Sequence, residues 1–121
     1  MFRKYDTYLN SKITPLRIKN KIIEKLLLLE ENGILFNITD YILRLINRLI
    51  KDVDKYNNTL LHHACFTNNE KLVQLLLQHP DIDVNFKNKV DKTPFDLSNS
   101  SIKVILLKHP DIDVNLKESK I

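Results

Sequence analysis

The sequence predicts an all-α fold, a short solenoid of stacked helical hairpins behind an N-terminal helical cap. Three observations lead there. HPDIDVNFK at 79–87 returns almost unchanged as HPDIDVNLK at 109–117, and self-similarity at a spacing of roughly 20–50 residues marks stacked supersecondary units. Apolar residues recur at helical spacings upstream of and between these copies. A proline, Pro80 or Pro110, then stops each of two matching helices. A chain of 121 residues allows one domain and leaves little room for another.

Residues 1–13 are polar and without pattern, and read as a loose tail. A helix is expected from Thr14-Pro15, because Thr can cap and proline lacks an N–H that the first turn would leave unpaired. Ile18, Ile22, Leu26 and Leu29 give its apolar stripe, and Gly33 suits the left-handed closing position. A second helix opens at Thr39-Asp40, with Ile42, Ile46, Leu49 and Val53 as its buried stripe. Leu43, Leu45 and Ile50 widen the stripe, so this helix is expected to be covered on two sides. Residues 14–53 thus form a helical pair.

Two units follow, at 54–87 and 88–117. Aligned on their shared tails, each reads as cap, short helix, turn, second helix and extended exit. Thr59 and Thr93, 34 positions apart, hold one place, and Leu61 and Phe95 another. In the exits, alternation sends Val84 and Val114 inward and Asp83 and Asp113 outward.

TLLHHA at 59–64, TPFDLS at 93–98 and the LLLQHPDIDVN and LLKHPDIDVN endings together resemble the ankyrin repeat, whose unit opens with T-P-L-H-x-A. The resemblance covers residues 54–117 and extends more weakly to TPLRI at 14–18 and LLLLEENGILFN at 26–37. It implies a helical solenoid that binds other proteins, a His62 that ties neighbouring units by hydrogen bonds, and a Cys65 in place of a small buried alanine. This sequence departs from the family pattern at its glycines: Asn57, Asp91 and Asn68 stand there, residue types that tolerate the left-handed conformation. Leu60 replaces the helix-opening proline. The second unit is also four residues shorter between Thr93 and Ile105 than the first between Thr59 and Leu75, a helical turn's worth. Such a truncated unit fits the end of a stack.

Little here points to chemistry. His62, His63 and Cys65 invite a metal, but a zinc site needs three or four converging protein ligands and no partner motif accompanies them. The pairs Asp81/Asp83 and Asp111/Asp113 lack the tight glycine turn of a calcium loop and read as a solvated edge. No phosphate loop, nucleophile elbow or triad is present. The expectation is a non-enzyme with no cofactor, no metal and no small-molecule substrate. What remains is surface. The family's partners lie against loop tips and first helices, which by position selects Lys55, Tyr56, Asn58, Phe66, Thr67, Lys89, Val90 and Lys92. Tyr56 and Phe66 stand out, since the repeat needs neither for its core and exposed aromatics anchor interfaces.

Charge supplies the competing reading. Residues 1–53 carry ten Lys/Arg against six Asp/Glu, whereas 54–121 carry nine of each. The basic excess around Arg17, Lys19, Lys21 and Lys25 is expected to be a solvated helix face; the alternative is a nucleic-acid or anionic-membrane binder working through residues 17–25. A decayed fragment of a longer ankyrin protein is a third reading. The abundance of Ile, Lys and Asn matches an A+T-rich genome, as in an intracellular bacterium or large virus, where the partner would be a host protein. No apolar run exceeds four residues, so neither a signal peptide nor a membrane span is expected. One cysteine suits a reducing compartment, and the expected location is a cytoplasm, the cell's own or a host's.

Overall fold

The computed structural model describes residues 3–33 and 38–113, with side chains from residue 7 onward. It is all-helical. In chain order the elements are α1 (Arg3–Asn10), α2 (Leu16–Glu31), α3 (Ile38–Leu49), α4 (Leu60–Phe66), α5 (Glu70–Leu77), a 3-10 turn (Phe95–Leu97) and α6 (Ser100–Leu107). Among the described residues the only β pairing is an isolated antiparallel bridge between Val53 and Thr59. α2, α4 and the 3-10 turn succeed one another along one side of the stack, while α5 packs on both α4 and α6. Leu26, Ile42, Leu61, Leu72, Leu76 and Ile102 share a single continuous core.

The first residues are not a loose tail. They hold α1, and Leu9 is fully buried against the core. A helix of eight residues is marginal alone and forms here because it packs on α2. Thr14 does not cap α2 either. Pro15 is the cap residue, extended at φ −61° and ψ 149° with no side-chain cap bond, and its carbonyl accepts from the Ile18 and Lys19 N–H groups.

α2 is rotated from the expected stripe. Leu16, Lys19, Asn20, Ile23, Leu26 and Leu27 face inward, while Ile18, Ile22 and Leu29 are half-buried. The helix touches α1, α3, α4 and α5, so the broader contact selects a face that includes two polar residues. Gly33 closes α2 at φ +77°, as its position demands. The Glu30 carboxylate then reaches forward to accept from the Ile38 and Thr39 N–H groups (3.0 and 3.2 Å) and from the Thr39 hydroxyl (2.6 Å). A carboxylate at a helix N-terminus satisfies donors that the helix itself cannot. α3 buries Ile38, Ile42, Leu45, Ile46 and Leu49; Val53 is exposed because the helix ends at Leu49, and Leu43 because it shares the open face of α3 with Asp40, Arg44 and Asn47.

The glycine substitutes behave as their residue types predict. Asn57, Asn68 and Asp91 have φ of 61°, 60° and 64°, each in the left-handed region. Asn69 and Asn99 cap α5 and α6 alike, their side chains accepting from the Leu72 and Ile102 N–H groups. The shortened unit has only the 3-10 turn where α4 stands in its predecessor, which is where its four missing residues fall.

The duplicated nonapeptide also finds its reason. In each described copy the His Nδ1 accepts from the N–H two residues on, Asp81 at 3.0 Å and Asp111 at 3.1 Å. The same residues make a turn rather than the extended exit expected, with Ile82 N–H on the His79 carbonyl and Ile112 N–H on that of His109. Val84 is buried and Asp83 exposed. Asp113, expected outside, is half-buried because its N–H is held by Asn85 Oδ1 at 3.0 Å. Asn85 Nδ2 donates to the Asp111 carbonyl at 2.8 Å, so one tail clamps the next. Val114 lies outside the described residues.

Candidate protein-binding surface

Two loops, 54–58 and 88–92, are built by the same local rule. Asp54 Oδ1 accepts from the Tyr56 and Asn58 N–H groups at 2.9 Å each. Asn88 Oδ1 accepts from those of Val90 and Lys92 at 3.0 and 2.9 Å. A short side-chain oxygen mimics a backbone turn in this way. The left-handed Asn57 and Asp91 then complete the reversal. Lys89 N–H donates to the Tyr56 carbonyl at 2.9 Å, and Asn88 Nδ2 to Asn58 Oδ1 at 2.7 Å. The loops therefore sit side by side as one rigid edge.

Each tip offers a lysine followed by an exposed apolar side chain. Lys55 and Tyr56 form one pair, with the ammonium 5.2 Å from the ring centroid; Lys89 and Val90 form the other. Tyr56 is 56% exposed and Val90 69%. Asn58 is half-buried and joins the loops, and Lys92 supplies its backbone to the scaffold while its side chain is exposed.

α4 runs away from this edge and leaves little of itself in the open. Leu60, Leu61, His62, Ala64 and Cys65 are buried. Phe66, 72% exposed, marks the open face together with half-buried His63. Thr67, selected with Phe66, serves the fold instead: its hydroxyl donates to the His63 carbonyl at 2.9 Å and accepts from Asn20 Nδ2 at 2.8 Å. Asn20 itself has no exposed surface. Its Oδ1 accepts from Asn69 Nδ2 at 3.1 Å, so the buried amide fastens α2 to the α4–α5 turn. Nothing local in the sequence marks Asn20; only its place on α2 opposite that turn gives it a role.

The histidines hold the loops to the helices. His62 Nε2 donates to the Lys92 carbonyl at 3.0 Å, which leaves Nδ1 to accept from the Thr59 N–H at 3.0 Å. Thr59 Oγ1 accepts in turn from the His62 N–H, a reciprocal cap. The imidazole also meets the Phe86 ring edge-on at 6.3 Å. Burial pushes the His62 pKa below its ordinary value, against the raising effect of the Lys92 carbonyl. His63 Nε2 donates to Asp54 Oδ2 at 2.9 Å. Burial alone would raise the Asp54 pKa, but the N–H groups of Asn58 and Tyr56, with His63 and the Asn58 amide, bring it below the usual value. Cys65 is buried and its thiol pushed up to about 12, burial outweighing a bond with Ser98. His62, His63 and Cys65 thus point to three different partners.

The basic residues of α2 do not share one solvated face. Arg17, Lys21 and Lys25 are exposed, with Glu24 among them, but Lys19 is buried. The physical reason is the helix rotation already described, which carries Lys19 under the adjoining elements. Among the described residues no helix is long and apolar enough to cross a membrane.

A family model described as Ankyrin repeats (3 copies) matches residues 19–118 of the chain. No curated protein and no solved structure matches.

Proposed function

The chain belongs to the ankyrin-repeat family, whose repeats generally bind other proteins, and on that premise we propose that it is a non-catalytic module that docks one protein partner on the loop edge and the open face of α4. The observation carrying this reading is the pair of aromatic side chains with no part in the core, Tyr56 on the first tip and Phe66 on α4, both more than half exposed. Large aromatic side chains supply contact area at low entropic cost and are enriched among interface anchors. Lys55, Lys89, Val90 and Lys92 border them, while Asn58 and Thr67 hold the surface in shape from behind. The side-by-side bonding of the loops favours docking without rearrangement, which limits the ordering cost of association. The encounter belongs in a cytoplasm, the cell's own or a host's, where the lone thiol stays reduced.

Affinity capture from a cell extract tests this. The intact chain should retain a specific protein that the Tyr56→Ala/Phe66→Ala double variant fails to retain while keeping its melting temperature. Equal capture by both would remove the aromatics from the interface.

A further inference from the structure

A groove of about 800 Å³ opens beside the first loop tip, between the α1–α2 connection, the end of α3 and residues 53–56. Five cationic side chains line it, Lys12, Arg17, Lys19, Arg48 and Lys55, against two carboxylates, Asp52 and Asp54. Leu9, Leu16 and Leu49 form a buried apolar floor, and Ile13 stands 91% exposed at the rim.

The unusual member is Lys19. The residue is only 5% exposed, and because no buried side-chain nitrogen among the described residues lacks a partner, the part that reaches the groove is its ammonium, which has no ion pair among them. Burial lowers its pKa; Asp52 raises it and Arg48 lowers it further. The stem is buried while the head group meets solvent through the groove, as lysine side chains do when they cover apolar surface. Asp54 is already engaged by Asn58, Tyr56 and His63, so it cannot serve Lys19 as well. The charge is left facing the groove.

We propose that this groove binds an acidic segment of the partner protein, with a carboxylate of that segment on Lys19 and an apolar neighbour on exposed Ile13 at the rim. This rests on the protein-binding reading and extends it, because Lys55 and Tyr56 belong to both the tip and the groove wall. A bound carboxylate adds to the attraction that Asp52 exerts on Lys19 and offsets the repulsion from Arg48, and partial dehydration strengthens the pair. A phosphodiester chain fits less well. Tyr56 is the one aromatic of the lining, whereas single-stranded nucleic acid is held by stacking on several aromatics. Asp52 and Asp54 would also repel a continuous run of phosphates.

Fluorescence anisotropy on the full chain tests the assignment, with a labelled peptide of alternating Glu and Leu as the probe. An oligothymidylate of equal charge serves as the comparison. Lys19→Met removes the groove-facing ammonium but keeps the stem, and Lys21→Met removes one from the same helix outside the groove. The peptide should bind saturably, Lys19→Met should weaken it by roughly tenfold or more, and Lys21→Met should leave it nearly unchanged. Lys19→Met should also melt no lower than the parent, which separates lost binding from lost fold. The proposal is overturned by absent peptide binding, by equal losses in the two variants, or by tighter binding of the oligothymidylate. Should capture of a partner depend on Tyr56 and Phe66 but not on Lys19, the groove fails while the tip reading stands.

Discussion

The Asn20 amide donates to the Thr67 hydroxyl at 2.8 Å across 47 residues of chain. It also accepts from Asn69 Nδ2 at 3.1 Å, so one buried side chain joins the first long helix to the turn of the next unit. Replacing it with leucine keeps the branched shape and removes these bonds, with the longer one to the His63 carbonyl, leaving the Asn69 donor without its acceptor. Asn20→Leu should cost about 1–3 kcal/mol, measured by denaturant unfolding. A cycle with Thr67→Val should show coupling between the two sites.

His62 makes stability depend on pH. Its neutral ring donates from Nε2 and accepts at Nδ1, and a second proton would turn that acceptor into a donor facing the Thr59 N–H. A group whose native pKa lies below its unfolded value of 6.5 is protonated more readily when unfolded. The stabilisation is complete above about 6.5, declines as pH falls through that value and levels off below the native pKa. Thermal melts at neutral and mildly acidic pH should show this slope. His62→Ala should flatten it and cost about 1–3 kcal/mol at neutral pH. Asp54, with its lowered pKa, adds a separate loss at lower pH, as it protonates.

Much of the frame was legible in the sequence, for local reasons. The left-handed positions could be read at Asn57, Asn68 and Asp91 because the family pattern has glycine there and only a few residue types tolerate such φ. His62 could be read as a tie between units because the family pattern places a hydrogen-bonding histidine there, and its ring does reach the Lys92 carbonyl of the next unit. The exposed tip residues Tyr56 and Val90 followed from loop position. The face of α2 did not. Its sequence supports two overlapping apolar stripes, one through Ile18 and Ile22 and another through Leu16, Ile23 and Leu27; contacts with α4 and α5 decide between them. Lys19 and Asn20 were hidden for the same reason, since their surroundings are set by residues more than 30 positions away. α1 was missed because eight residues with one buried leucine carry too little periodicity to register.

The N-terminal helices should be required for the fold. Leu9 is fully buried, so Leu9→Ala should cost about 2–4 kcal/mol. A 54–121 fragment exposes the flank of α4 and α5 that α2 covers and should be unfolded or aggregated by circular dichroism and sedimentation. A folded, monomeric 54–121 fragment with the stability of the intact chain would make residues 1–53 an appendage.

Cys65 should report global opening. Its thiol is buried and pushed up to about 12, so little thiolate is available at neutral pH. A disulfide-exchange reagent should label it far more slowly than a model thiol in native buffer and at the ordinary rate in denaturant. Fast labelling in native buffer would show that the α4 packing opens without global unfolding.

Affinity for the partner should reside in the aromatics of the tip and of α4. The direct measurement is calorimetric titration of the captured partner into the parent chain, Tyr56→Ala, Phe66→Ala and a Lys21→Glu/Lys25→Glu variant, at low and physiological salt. Losses of about 1–3 kcal/mol are expected for each aromatic, with little effect of the charge reversals and an affinity that survives the change in salt. Unchanged affinity in both alanine variants, together with loss on reversing the lysines and a steep fall with salt, would contradict that placement.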